Sequence, residues 1–198
     1  MTIEEVVEKG YDEIAQLYYA NRDLEKFNSE LDKFLKLIPK NTHVLDVGCG
    51  AGIPTARYLS KRGVKVTGID ISTTMINLAR ENVPEATFIK MDINEIHFPE
   101  RSFDGLISVY TLFHIPRKNH SKIFKMFYKI LKYGGVMMIN SGVSGSEGIS
   151  NFFGVSMFWS NYNSEKTLDL VKGAGFSIIF EGILQRGGEL QYWIFGKK

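Results

Sequence analysis

The stretch Val44-Leu-Asp-Val-Gly-Cys-Gly-Ala-Gly52 restricts the fold of this chain more than any other. A short β-branched run, His43 to Val47, stops at glycine. The residues from Ile53 to Arg62 then read as a helix, with Pro54 suited to its first turn and Gly63 to its end. Glycines at 48, 50 and 52 let the backbone turn sharply and approach a ligand without interference from a Cβ. The helix that follows presents unpaired N–H groups at the same place, so strand, loop and helix make a ready site for a nucleotide-like cofactor. Such a turn is shared by several classes of nucleotide-binding enzyme, and alone it selects none of them.

The alternation continues. Lys65 to Ile69 reads as a second strand, Ser72 as the cap of a helix carrying Met75, Ile76 and Ala79 that Pro84 ends, and Ala86 to Ile89 as a third strand. Phe103 to Tyr110 reads as a buried fourth strand and Ser121 to Leu131 as an amphipathic helix. A Gly134-Gly135 turn then leads into a fifth strand, Val136 to Asn140. Serial β and α elements require a parallel sheet with helices on both faces, because parallel neighbours are joined by right-handed crossovers. Ligands then bind at the carboxyl ends of the strands.

Before this core, apolar residues from Tyr11 to Ile38, Leu24 among them, recur at roughly helical spacing, with a break near Asn21. After it, Ser141 to Ser150 is polar and glycine-rich, and an aromatic cluster follows at Phe152, Phe153, Phe158, Trp159 and Tyr162. Ser164 to Ala174 reads as a helix stopped by Gly175. Phe176 to Glu181 and Leu190 to Phe195 read as an antiparallel pair joined at Gly187-Gly188. The expectation is one α/β domain over 1–198: a helical lid segment (1–40), a cofactor-binding core (41–140), an acceptor-side insertion (141–163) and a closing helix with antiparallel strands (164–198).

Composition agrees with that frame. The 198 residues are 44% hydrophobic and 23% charged, enough to bury one substantial core. Basic and acidic residues number 24 and 22 and are spread along the chain, so nothing marks a nucleic-acid or anionic-lipid footprint. A single cysteine, Cys49, makes no intrachain disulfide. The acidic start, with Glu4, Glu5 and Glu8, lacks the pattern of a secretory signal, and the expectation is a cytoplasmic protein away from the membrane.

Two carboxylates narrow the cofactor. Asp46 lies just before the loop where a dinucleotide would put its pyrophosphate, and like charges repel at short range, whereas an amine and a sulfonium would be attracted. Asp70 ends the second strand about twenty residues beyond the first glycine, where a carboxylate can accept from both ribose hydroxyls or, alternatively, cap the next helix.

VLDVGCGAG at 44–52, Gly68-Ile-Asp70, Lys90-Met-Asp-Ile93, FDGLISVYTLFHI at 103–115 and LKYGGVMMI at 131–139 resemble, in this order, the motifs of the class I S-adenosylmethionine-dependent methyltransferases. The resemblance implies a Rossmann-like seven-stranded, mostly parallel sheet with a C-terminal antiparallel strand pair. It implies S-adenosylmethionine as cofactor and S-adenosylhomocysteine as product. Gly48, Cys49, Gly50 and Gly52 would surround the methionine part, with Ser108 contacting it through its carbonyl. Asp70 would bind the ribose and Asp92 the adenine amino group, with Ile71, Met75 and Ile93 around the ring. A tyrosine of the N-terminal segment, Tyr11, Tyr18 or Tyr19, would close over the cofactor. His114 stands where a base would meet the acceptor, and Tyr110, Trp159 and Tyr162 are the acceptor-side candidates. Each has a plainer alternative: a core residue, a turn organiser, or an aromatic cluster packing a short helix on the sheet.

The stretch Ser108-Val-Tyr-Thr is unlike the Asn-Pro-Pro-aromatic segment of amino-methylating nucleic-acid enzymes, and no Pro-Cys pair serves cytosine chemistry. A small-molecule acceptor is therefore favoured, with no metal cluster evident. The competing readings are a dehydrogenase-like nucleotide binder and a noncatalytic module that binds S-adenosylmethionine or its product.

Overall fold

The computed structural model describes residues 1–21, 27–186 and 188–198. Its elements are α1 (Ile3–Ala20), α2 (Asn28–Leu37), β1 (His43–Val47), α3 (Thr55–Ser60), β2 (Lys65–Asp70), α4 (Thr73–Asn82), β3 (Thr87–Lys90), β4 (Phe103–Ser108), α5 (His120–Ile130), β5 (Leu131–Ser141), β6 (Ser146–Phe152), β7 (Val155–Asn161), α6 (Ser164–Gly173), β8 (Ser177–Arg186) and β9 (Glu189–Lys197).

Seven strands form one sheet in the order β3-β2-β1-β4-β5-β9-β8. The first five are parallel to their neighbours, and β9 runs against both β5 and β8. The strand order reverses between β1 and β4, the place where open α/β sheets leave a crevice at their carboxyl ends. One apolar layer packs α5 and α6 on the sheet through Phe124, Phe127 and Val171. On the opposite face Phe34 of α2, Leu59 of α3 and Ile76 of α4 pack against Val44, Val136 and Trp193.

Local signals explain most boundaries. Thr2 and Glu5 form a capping box, the Thr2 hydroxyl accepting from the Glu5 amide at 3.1 Å and the Thr2 amide donating to the Glu5 carboxylate at 2.8 Å. α1 thus begins well before Tyr11 and reaches its cap at Asn21, where the break was expected; Leu24 lies outside the described residues. Ser72 caps α4, its hydroxyl accepting from the Met75 amide at 3.0 Å.

Two expectations change, and a third falls partly outside the described residues. The Gly134-Gly135 turn is absorbed into β5 as an irregularity: Phe103 pairs with Leu131 but Gly105 with Val136, and Gly134 takes up the extra chain at φ 77°. The turn expected at Gly187-Gly188 is seen at Gly188, φ 83°, while Gly187 lies outside the described residues. The insertion at 141–163 is a hairpin of β6 and β7, neither irregular nor helical. Phe153 and Gly154 form its tight turn, with φ values of 52° and 93°. β6 carries no alternation of apolar residues because nearly all of it is exposed, so the usual signal of a strand is missing.

An ion pair ties α2 to the far end of β8. The side chain of Glu30 is fully buried and accepts from Arg186 Nε at 2.9 Å and from its Nη2. Burial works against the charged form of Glu30, yet the hydrogen bonds from Arg186 and Ser29 hold its carboxyl below the usual range. Removing Arg186 strands a buried carboxylate. Arg186→Ala is therefore expected to cost about 3 kcal/mol of stability, read as a lower urea midpoint with an unchanged slope.

Candidate functional site

The glycine loop is held from below by β2. Gly48 and Cys49 donate their amides to the Ile69 carbonyl at 2.8 and 2.9 Å, which turns the chain at the end of β1. Gly48, with φ 72°, leaves no room for a side chain: an added Cβ would lie 2.1 Å from the Thr111 hydroxyl, which itself donates to the Val47 carbonyl at 3.1 Å. Gly52 has a different reason. A Cβ there would press on Phe88, Val83 and Ala79 at 3.1 to 3.3 Å, so this glycine serves close packing of the loop against β3 and α4.

Asp70 joins the loop to the start of α4. One carboxylate oxygen accepts from the Gly50 amide at 2.8 Å and the other from the Ser72 amide at 2.9 Å. Asp70 thus organises the approach to α4, the plainer of its two alternatives, and it also lines the cleft. Asp92 behaves similarly. Its Oδ1 accepts from the Asn94 amide at 2.8 Å and from the Asn94 side chain at 3.0 Å, a turn-organising pattern, while Asp92 lines the same cleft.

That cleft encloses about 770 Å³, its open mouth included, at the carboxyl ends of β1, β2 and β4. It brings together Tyr11, Tyr18, Gly48, Gly50, Asp70, Ile71, Met75, Asp92, Ile93, Tyr110 and His114. The other sequence candidates stand outside its lining. Asp46 is buried in β1 between β2 and β4, Cys49 is buried in the loop, and Ser108 is fully buried in β4. Trp159 packs behind His114, ring centres 4.6 Å apart, and Tyr162 lies against His120 and Arg117. Tyr19 also turns away, donating its hydroxyl to Asn82 at 3.3 Å.

Sequence reading missed several wall residues, among them Glu4, Val7, Asn94 and Thr111. Thr111 could be found only by knowing that Gly48 must face it. Glu4 and Val7 reach the cleft because α1 lies across it, and no local signal announces that docking. Two contacts secure α1. Asp12 accepts from the Ser72 hydroxyl at 2.6 Å and the Thr74 amide at 2.9 Å, capping α4 from another helix, and Lys90 pairs with Glu8. Burial opposes the charge on Asp12, but these donors keep its carboxyl below the usual range.

A third contact crosses the cleft. The Tyr11 hydroxyl is 2.8 Å from His114 Nε2, and His114 Nδ1 is 2.9 Å from the Phe158 carbonyl. A carbonyl can only accept, so Nδ1 carries the proton, Nε2 is bare and the tyrosine donates to it. His114 is only 5% exposed, and burial pushes its pKa down to about 4 despite the opposing Phe158 bond. The ring is therefore neutral at pH 7, and both nitrogens are engaged.

Residues 44–135 match the family model described as a methyltransferase domain. The matched residues hold the glycine loop and most of the parallel sheet, so this part of the chain is similar to a methyltransferase domain. The phosphoethanolamine N-methyltransferase of Plasmodium falciparum is 35% identical over 103 residues, covering 50% of this chain and 39% of that protein. The demethylmenaquinone methyltransferase of Listeria welshimeri is 30% identical over 148 residues, covering 68% of this chain and 61% of the relative. The chain thus spans less than two thirds of the length of these relatives. Among solved structures, a phosphoethanolamine N-methyltransferase of Haemonchus contortus in complex with S-adenosylhomocysteine superposes with a TM-score of 0.77 at 21% identity, covering 100% of this chain and 60% of the other. Among the described residues, no helix is long and apolar enough to cross a membrane.

His114 also sets a pH dependence. Its folded pKa lies below the unfolded value, so between the two the unfolded chain binds the extra proton and acid favours unfolding. Stability that is complete above about pH 6.5 is expected to fall progressively until about pH 4. His114→Gln should flatten part of that slope when melting temperature is followed from pH 7.5 to 4.5.

Proposed function

We propose that this chain transfers the sulfonium methyl of S-adenosylmethionine to a small-molecule acceptor by in-line displacement, leaving S-adenosylhomocysteine. The observation that carries the reading is Asp70. Its carboxylate is aimed by the amides of Gly50 and Ser72 while it lines the cleft, the placement from which a strand-end carboxylate can accept from the hydroxyls of a ribose. The cofactor, when bound, supplies a methyl already activated on a positively charged sulfur. The protein's task is then alignment and exclusion of water rather than strong base catalysis.

The chain's residues divide that task. The loop backbone at Gly48 and Gly50 admits the methionine part, and Ile71, Met75 and Ile93 flank the adenine, whose amino group donates to Asp92. Asp46, 3% exposed beneath the loop, favours a cationic ligand through its field rather than by contact. Cys49 and Gly52 shape the loop, and Ser108 is left with its backbone. Tyr11 and Tyr18 close the cleft from α1.

His114 acts on Tyr11. With its proton on Nδ1 and a depressed basicity, the imidazole fixes the phenol hydroxyl over the cleft and does not itself collect the acceptor's proton. Trp159 packs on His114 and holds it in that position, Tyr110 forms the acceptor wall, and Tyr162 takes no part in the cleft. The relatives with phosphoethanolamine and demethylmenaquinone in their names favour a small molecule over a polymer as the acceptor.

Calorimetric titration tests this reading. Saturable binding of S-adenosylmethionine and S-adenosylhomocysteine, without binding of NAD, is expected; binding of NAD instead, or of nothing by a folded sample free of carried-over ligand, overturns it. Asp70→Asn gives up the charge and sets an N–H donor against one of the two amides it now accepts from, and should weaken S-adenosylhomocysteine binding by at least about 2 kcal/mol, partly through the loop, with the overall circular dichroism spectrum retained. Turnover of any acceptor separates an enzyme from a binding module.

A further inference from the structure

Beyond Tyr110, on the α2 face of the sheet, buried polar atoms lack partners. Tyr110 has a φ of 60°, uncommon for an aromatic residue, and its amide donates to Asn140 Oδ1 at 2.7 Å. A backbone amide can only donate, so the orientation of the Asn140 side chain is settled, and Nδ2 faces the other way with two protons to give. Asn140 is fully buried, and its Nδ2 has no hydrogen-bond partner.

Directly across the strand pair from Asn140 stands Trp193, also fully buried, with its Nε1 proton likewise unmatched. Two residues along the same face of β9, Gln191 contributes a buried Oε1 that accepts from nothing. A donor pair beside an acceptor is costly to leave dry, and native interiors seldom do so. Among the described residues, no free charge is seen beside them. The cation above this end of the sheet, Arg186, is already paired with Glu30.

Aromatic rings connect this group to the cleft. Phe27 lies 5.9 Å from the Trp193 ring and 6.2 Å from that of Tyr110, which itself lines the cleft. Tyr110, two residues past the end of β4, thus lines the cleft on one side and meets Phe27 on the other.

We propose that Asn140, Trp193 and Gln191 form the acceptor subsite and take a neutral amide-type group. A carbonyl oxygen has two lone pairs for the donors of Asn140 and Trp193, and an adjacent N–H meets Gln191 Oε1. The paired state of Arg186 disfavours a carboxylate or phosphate in this place. Displacement of the Tyr110 ring joins the subsite to the cofactor cleft. This inference rests on the methyltransferase reading.

The test uses benzamide as the probe, with toluene as the same ring lacking the amide, on protein saturated with S-adenosylhomocysteine. Saturable benzamide binding, with toluene at least about tenfold weaker, is expected. Trp193→Phe, which keeps a ring and removes only the N–H, should weaken benzamide about tenfold and leave S-adenosylhomocysteine affinity unchanged. If S-adenosylhomocysteine binds but benzamide binds no better than toluene, or Trp193→Phe makes no difference to it, the subsite is overturned and the methyltransferase reading stands. If a folded sample does not bind S-adenosylhomocysteine at all, both fall.

Discussion

The arrangement of the cleft depends on one carboxylate. Asp70 sits at the end of β2 and accepts from an amide in the glycine loop and another ahead of α4. These segments belong to two successive βα turns, and without a shared anion their amides would be competing ends with nothing to fix their spacing. Hydrogen bonds to an ionised acceptor are shorter and stronger than neutral ones, so Asp70 can organise the loop and still face a ligand. The glycine at 48 then follows as a steric necessity, because the loop is drawn in until Thr111 leaves no space for a Cβ, and Gly50 is favoured by its φ of 52°.

α1 completes the site from outside the sheet. It caps α4 through Asp12 and reaches His114 through Tyr11, so one helix contacts both sides of the cleft. The buried imidazole is suited to such a joint because it offers one donor and one acceptor in fixed directions and carries no charge at neutral pH. The same burial that makes it a good strut makes it a poor base. Position in the fold, more than residue type, decides which role a histidine takes.

The sheet and its helices were readable because hydrophobic period, caps and glycine turns all agree along residues 43–141. The cleft wall that holds Asp70, Asp92 and the glycines at 48 and 50 was readable for the same reason, since these residues are tied to strand ends that the alternation already locates. The acceptor side was not. Trp159 and Tyr162 look alike in sequence, one within β7 and the other just past its end, yet Trp159 packs on His114 and Tyr162 on His120. What separates them is the path of the β6–β7 hairpin, whose exposed first strand carries no periodic signal. The docking of α1 was equally hidden, because Asp12 and Tyr11 find their partners about 60 and 103 residues away.

The position of β9 has a consequence for the order of assembly. In the chain it follows every other strand, but in the sheet it lies between β5 and β8. Until β9 exists, β5 has an open edge and β8 has no neighbour to bond. A growing chain that already contains the whole glycine loop therefore still exposes a strand edge beside its most apolar residues, Met137, Met138 and Ile139. Those edge amides must be kept from other chains until residues 189–197 have been made, so the interval between the synthesis of β5 and that of β9 is one of exposure to aggregation.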